Sequence, residues 1–358
     1  MASIHQLVAG FSRGDAISNE AMVMRALFRS WGFNSEIYCE RRRILPELRA
    51  EAFDLNDLRS GCEPGDVVLL HLSIGSQANE VFRDLPAKKA ILYHNITPPD
   101  YYQLVQPSTA LDLARGRQQA ARLAGVASVN LADSEFNSRE LAAWGYPPSA
   151  VFPLMLDFGK LGGAPDRSVM RQFGDGKVNI LFVGRCAPNK KIEDVISAFA
   201  YFQQGVESNS RLILAGSYAG TERYHRLLIT MARDLQLENV VFTGSVPQPQ
   251  LNACFQSSHV FLCMSEHEGF CIPLVESLVY RVPVLAYSAC AVPETLGGAG
   301  VLFHEKKFEA IAEMMGRMTH HSALRTSLLA GQDKRLLQLK SRDLGVELHA
   351  HLSPLLGS

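Results

Sequence analysis

The 358 residues are too many for one core of ordinary size and suit two domains. Apolar residues at 47% and charged residues at 20% exclude a disordered chain. The net charge of -1 is spread evenly, with 15 basic against 17 acidic residues through residue 150 and 20 against 19 beyond it, which excludes a basic nucleic-acid binder.

In chain order, the first half reads as strand 4–9, helix 18–31, strand 35–39, strand 67–72, strand 89–93, helix 108–124, strand 128–133 and helix 136–144. The runs VVLLHL and AILYH are short, continuous and rich in Val, Ile and Leu, as central strands of a parallel sheet are. Periodicity lapses over 153–177, where Pro153, Gly159, Gly162, Gly163, Pro165 and Gly174 mark a linker. A second series follows: strand 178–184, helix 191–204, strand 211–215, helix 221–235, strand 239–243, helix 247–256, strand 260–263, helix 272–280, strand 283–286 and helices over 306–355. The expected fold is α/β, with two doubly wound Rossmann-like domains facing across a cleft. The first is expected over 1–160, with helix 341–355 packing back on it, and the second over 161–340. Ligands of such sheets bind beyond the carboxyl ends of the strands, so the loops there are where chemistry is sought.

Two segments stand out. In SEHEGFCIPLVESL, 265–278, an apolar strand leads into Glu268, Gly269 and a helix with Pro273 in its first turn. The amides of Phe270, Cys271 and Ile272 then stand open at the positive end of that helix, ready for a diphosphate. Glu268 precedes the helix and Glu276 lies about a turn inside it, so the two reach different parts of a ligand. The plain alternative is a loop acid and a surface acid. In NILFVGRCAPNKKIEDVISAF, 179–199, a buried strand ends at Gly184, Arg185 follows, and Lys190 stands at the start of the next helix. Cations are disfavoured at a helix N-terminus unless they face an anion, which here would be a departing diphosphate.

These segments resemble the retaining GT-B glycosyltransferases of family four. The G-R-x-x-P-x-K stretch is matched by Gly184, Arg185, Pro188 and Lys190, and the E-x7-E motif by Glu268 and Glu276. LILAGSY (212–218), VVFTGSV (240–246) and VPVLAYSACAVPETLGGAGVLF (282–303) lie between and after them in the family's order. The resemblance implies that Glu276 holds the donor ribose and Glu268 the hydroxyls of the transferred sugar. It places Gly216, Gly244, Ser245 and Val246 on the donor side, the last three against the nucleobase. The family usually has glycine where this chain has Lys191.

The first half is less explicit. Gly14, in FSRGDAISNE, permits close backbone approach, with Ser18 as a helix cap and Glu20 in the first turn. The family's similar loop lies over the donor phosphates. His94 follows a buried strand and precedes Thr97-Pro98-Pro99, and the family places a histidine there beside the reacting sugar. His71 also ends a strand, and Ser134, Glu135 and Asn137 read as a helix entry. The run Arg41, Arg42, Arg43 and the helical Arg115, Arg117 and Arg122 read as solvated surface, with contact to anionic lipid as the sharper reading.

The resemblance implies metal-independent, retaining transfer of a hexose from a UDP- or GDP-sugar to a saccharide or lipid-linked saccharide, in bacterial surface polysaccharide assembly. No cofactor is expected besides the nucleotide-sugar co-substrate, and no metal site or nucleic-acid partner. Cysteines 39, 62, 186, 254, 263, 271 and 290 lack C-x-x-C spacing, and the N-terminus lacks a long apolar core. A cytoplasmic protein is expected, with peripheral contact at the inner membrane face as the further reading. The rivals are a nucleotide-sugar epimerase of the same architecture and a non-catalytic nucleotide-sugar binding module. A dinucleotide dehydrogenase is disfavoured, since no G-x-G-x-x-G follows the first strand.

Overall fold

Apolar runs without polar alternation leave neither face for water, so they pair inside parallel sheets. The computed structural model describes residues 3–159 and 161–356. Strands β1 (Ile4–Leu7), β2 (Ile37–Cys39), β3 (Phe53–Asp54), β4 (Val67–Leu72), β5 (Lys88–Tyr93), β6 (Val129–Ala132) and β7 (Ala150–Val151) form one parallel sheet, ordered β3-β2-β1-β4-β5-β6-β7. Strands β8 (Val178–Val183), β9 (Ser210–Ala215), β10 (Val240–Gly244), β11 (Val260–Cys263), β12 (Val284–Tyr287) and β13 (Val301–Phe303) form another, ordered β10-β9-β8-β11-β12-β13. The helices are α1 (Ala16–Ser30), α2 (Leu55–Gly61), α3 (Gln77–Asp84), α4 (Pro107–Arg122), α5 (Glu135–Ala143), α6 (Arg167–Phe173) and α7 (Ile192–Gly205). They continue as α8 (Glu222–Asp234), α9 (Gln248–Gln256), α10 (Ile272–Val279), α11 (Val292–Leu296), α12 (Phe308–His320), α13 (Ser322–Lys340) and α14 (Leu344–Leu356).

The chain divides into two compact units. The first takes the residues up to Asp100, Pro107–Asp157 and those from Asp343 on, and the second takes Tyr101–Gln106 and Phe158–Arg342. The expected boundary residue, 160, lies outside the described residues. In the first unit Ile4, Leu69, Leu92 and Leu131 pack with Phe28 of α1. Leu348, Leu352 and Leu355 of α14 join the same core, and Lys88 Nζ caps the Leu355 carbonyl at 2.7 Å. In the second unit the period of two sends Ile180 and Phe182 to one face, with Phe199 and Met315, and Leu181 to the other, with Leu274 and Leu278.

Several sequence expectations need correction. The stretch 153–177 is not all linker, because α6 lies within it; the Asp166 carboxylate caps that helix through the amides of Ser168 and Val169 at 2.8 and 3.1 Å. Helices α2 and α3 fill segments where no element was expected. The cap of α1 is Asp15, not Ser18, since the Ser18 amide and hydroxyl both donate to the Asp15 carboxylate. Among the described residues no helix is long and apolar enough to cross a membrane. Arg42 and Arg43 pair with Glu40, and Arg117 pairs with Glu140 and lies over the Trp144 ring.

Candidate functional site

In the second unit β11 delivers the chain into a loop that ends at Cys271, which caps α10 in the left-handed region (φ 70°). Pro273, second in the helix, has no amide bond to lose there. The loop is held from behind: Thr295 Oγ1 donates to the Phe270 carbonyl at 2.5 Å and the Ala291 amide to the Glu268 carbonyl at 3.3 Å. Among the described residues, the amides of Phe270, Cys271 and Ile272 donate to no other group. They leave the positive end of α10 open.

The second cationic segment meets this loop. After β8 and Gly184, a 3-10 turn over Pro188–Lys190 precedes α7. The Asn189 side chain donates to the His267 carbonyl at 3.0 Å, and its own carbonyl accepts from the Glu266 amide at 2.9 Å. So stapled, Lys190 Nζ lies 2.6 and 2.7 Å from the two Glu268 oxygens, 78 residues away in sequence. Burial acts to lower the Lys190 pKa, but the Glu268 carboxylate outweighs it and raises it. An ammonium has three donors, so one remains for a further acceptor. Lys191 adopts φ 51°, a region that glycine enters at least cost. The helix start survives there with α7 opening at Ile192.

Glu276, fifth in α10, is 7% exposed. Among the described residues no cation or hydrogen-bond donor is paired with its carboxylate, and burial alone pushes it up to about 7. Arg185 is exposed, with one guanidinium nitrogen on the Ala219 carbonyl at 3.1 Å. Gly184, Gly216 and Gly244 line a shallow depression at the carboxyl ends of β8, β9 and β10, beside Tyr218 and His225. A Cβ on Gly216 would overlap the Gly184 carbonyl oxygen, so the adjacent strand already demands glycine there. Ser245 is exposed and Val246 half-buried just past β10, and Gly269 is half-buried between Glu268 and Phe270.

In the first unit, Gly14 has φ 72° and open space above its Cα. The His94 ring does not emerge at the strand edge: its side chain is 3% exposed. His94 Nε2 lies 2.9 Å from His71 Nδ1, and its Nδ1 lies 3.6 Å from Asp133 Oδ2. Glu20 is fifth in α1 and not in its first turn, because the helix opens at Ala16; it is buried, receives the Met155 amide at 2.9 Å, and burial pushes it up to about 7. Sequence reasoning missed Asn189, the burial of Glu20 and a role for Asp133. Only Asp133, directly after an apolar strand, carried a local signal.

Residues 169–332 match the family model for glycosyl transferases group 1. The O-antigen chain mannosyltransferase B of Escherichia coli is 27% identical over 132 residues, 37% of this chain and 34% of that protein. A GDP-mannose:cellobiosyl-diphosphopolyprenol alpha-mannosyltransferase of Xanthomonas oryzae pv. oryzae is 32% identical over 148 residues, 40% of this chain and 38% of that protein. The matched stretches thus span little more than a third of these relatives. Among solved structures, the Anabaena HepE protein in complex with UDP and glucose aligns at TM-score 0.74 and 16% identity over 99% of this chain and 100% of that one. A sucrose-phosphate synthase from Thermosynechococcus elongatus aligns at 0.77 and 14% over 99% of each. With the two parallel sheets, this likeness shows a GT-B fold of two Rossmann-like units.

Proposed function

We propose that this chain is a glycosyltransferase that moves a hexose from a nucleotide-diphosphate sugar to a saccharide or lipid-linked saccharide acceptor, retaining the anomeric configuration and placing no metal on the diphosphate. The observation that carries the reading is Glu276: a buried carboxylate without a partner, on a helix whose open end presents three free amides. A ribose offers the two hydroxyl donors that such a carboxylate lacks. The diphosphate would then take the amides of Phe270, Cys271 and Ile272, the exposed Arg185 and the remaining donor of Lys190. As the bond from the anomeric carbon to the diphosphate breaks, negative charge gathers on the leaving oxygen, and these donors stabilise it. The leaving phosphate can take the proton of the attacking acceptor hydroxyl on the same face. Glu268, fixed by Lys190, would receive hydroxyls of the transferred sugar.

GDP-mannose is the favoured donor, because several relatives are mannosyltransferases, two of them described as GDP-mannose-dependent. The test is product analysis with GDP-mannose and UDP-glucose, with and without a polyprenyl-diphosphate-linked saccharide, and with no added divalent cation. A new α-linked product that needs the acceptor supports the proposal. Conversion of the donor sugar alone would identify an epimerase, and binding without turnover would identify a silent binding module.

A further inference from the structure

A short segment from the first half of the sequence belongs to the second unit. Asp100 and Pro107 are part of the first unit, whereas Tyr101–Gln106 are part of the second. The segment is anchored at both ends. The Tyr101 hydroxyl donates to Glu266 Oε2 at 3.3 Å, and the Lys191 ammonium lies 5.9 Å from the centre of the Tyr101 ring. At the other end the Arg223 guanidinium donates to the Leu104 carbonyl at 3.1 Å, and Val105 packs on the core that holds Cys186, Ile192 and Tyr224. The amides of Val105 and Gln106 donate to the Tyr102 carbonyl at 3.1 and 2.8 Å, which closes a turn and fixes Tyr102 between the anchors.

The anchors flank the stretch that follows β8. Glu266 is tied by its amide to the Asn189 carbonyl at 2.9 Å, next to Lys190. The Gln106 side chain lies against Gly220, next to the Ala219 carbonyl that receives Arg185 at 3.1 Å. Electrostatics agree with this placement: burial raises the Tyr102 pKa, and the charges of Arg185 and Lys190 act against it. Tyr102 is 7% exposed, and its hydroxyl has no hydrogen-bond partner among the described residues. A buried phenol ordinarily finds one. Its charged neighbours here are an arginine and a lysine, neither of which can accept a hydrogen bond. An O–H donor held near two cations calls for an anionic acceptor that all three can share.

We propose that Tyr102 is a donor-binding residue whose hydroxyl donates to the β-phosphate of the nucleotide sugar, beside Arg185 and Lys190. The inference rests on the donor-site reading above. The β-phosphate is the group bonded to the transferred sugar, and Lys190 is tied to Glu268, the residue set to receive that sugar. The contact strengthens as charge gathers on the leaving oxygen, so it favours departure of the diphosphate.

The test is calorimetric titration, without metal, of GDP, UDP, GMP and UMP on full-length wild type and Tyr102→Phe, with thermal melts of both proteins. The variant keeps the ring and loses only the hydroxyl. The nucleoside diphosphate that binds wild type should bind the variant about 10- to 100-fold more weakly, as expected for loss of a hydrogen bond to a charged group. The matching monophosphate, which lacks the β-phosphate, should lose less than about threefold. Tm should stay within about 2 °C, because the hydroxyl makes no bond within the fold. Equal diphosphate affinity in the two proteins would overturn the inference and leave the donor-site reading standing. An equal loss for monophosphate and diphosphate would overturn it in favour of a contact away from the β-phosphate. A fall in Tm of more than about 5 °C would overturn it by assigning the hydroxyl to the fold. If wild type binds no nucleotide, the donor-site reading itself fails and the inference falls with it.

Discussion

The loop after β11 and the body of α10 each hold a buried glutamate, eight residues apart and 7% exposed, yet the two have opposite surroundings. Glu268 is neutralised within the fold by Lys190 at hydrogen-bond distance. Glu276 has no partner and is pushed up to about 7. Folding satisfies the first carboxylate and leaves the second as an unmet demand, which stability alone does not explain. The pair teaches that equal burial does not mean equal surroundings: one carboxylate meets its countercharge within the fold and the other is left without a partner.

The largest expected effect breaks the satisfied side. Lys190→Ala strands a buried carboxylate and should cost about 3 kcal/mol in chemical denaturation. It should also lower turnover by about 100- to 1000-fold if Lys190 stabilises the leaving diphosphate. Adding Glu268→Gln should restore most of the stability and none of the turnover, which separates the two roles.

On the unsatisfied side the sign reverses. The folded chain holds the Glu276 proton between the ordinary 4.5 and about 7, where the unfolded chain has released it. Its contribution to stability is therefore intact below the lower value and is lost as pH rises through that window. Glu276→Gln removes this loss and should stabilise the protein at about pH 8 by up to about 3 kcal/mol, seen as a raised Tm. Gly216→Ala, which overlaps the Gly184 carbonyl and sits at φ 150°, should cost about 2 kcal/mol in the same melts. Arg185→Ala should change stability by less than about 0.5 kcal/mol, since the side chain is exposed, while reducing turnover about 100-fold.

Legibility follows the same divide. The second unit could be read because its chemistry sits beside punctuation: Gly184 ends a strand, Pro188 opens a turn, and Pro273 opens a helix. Such residues fix backbone geometry locally, so neighbouring charges inherit a known place. Asn189 escaped notice because a staple between residues 78 positions apart leaves no local trace. Glu20 reads from sequence only as a first-turn helix acid; the chain at Met155, 135 residues on, makes it a buried acceptor. Helix α6 was hidden by the glycines and prolines around it, although Asp166 two residues before Ser168 is a cap signal.

The central claim is that Glu276 is kept unpaired for a ribose. The direct measurement is calorimetric titration of GDP and UDP, without metal, on wild type and Glu276→Gln at about pH 6 and pH 8. Ionisation through about 7 makes Glu276 the stronger acceptor, so one nucleotide should bind wild type more tightly at the higher pH. The variant should bind about 10- to 100-fold more weakly, with the Glu276-dependent part of the pH response removed. Equal affinity in both proteins at the higher pH would contradict the ribose assignment, and with it the reading of this helix as the donor site.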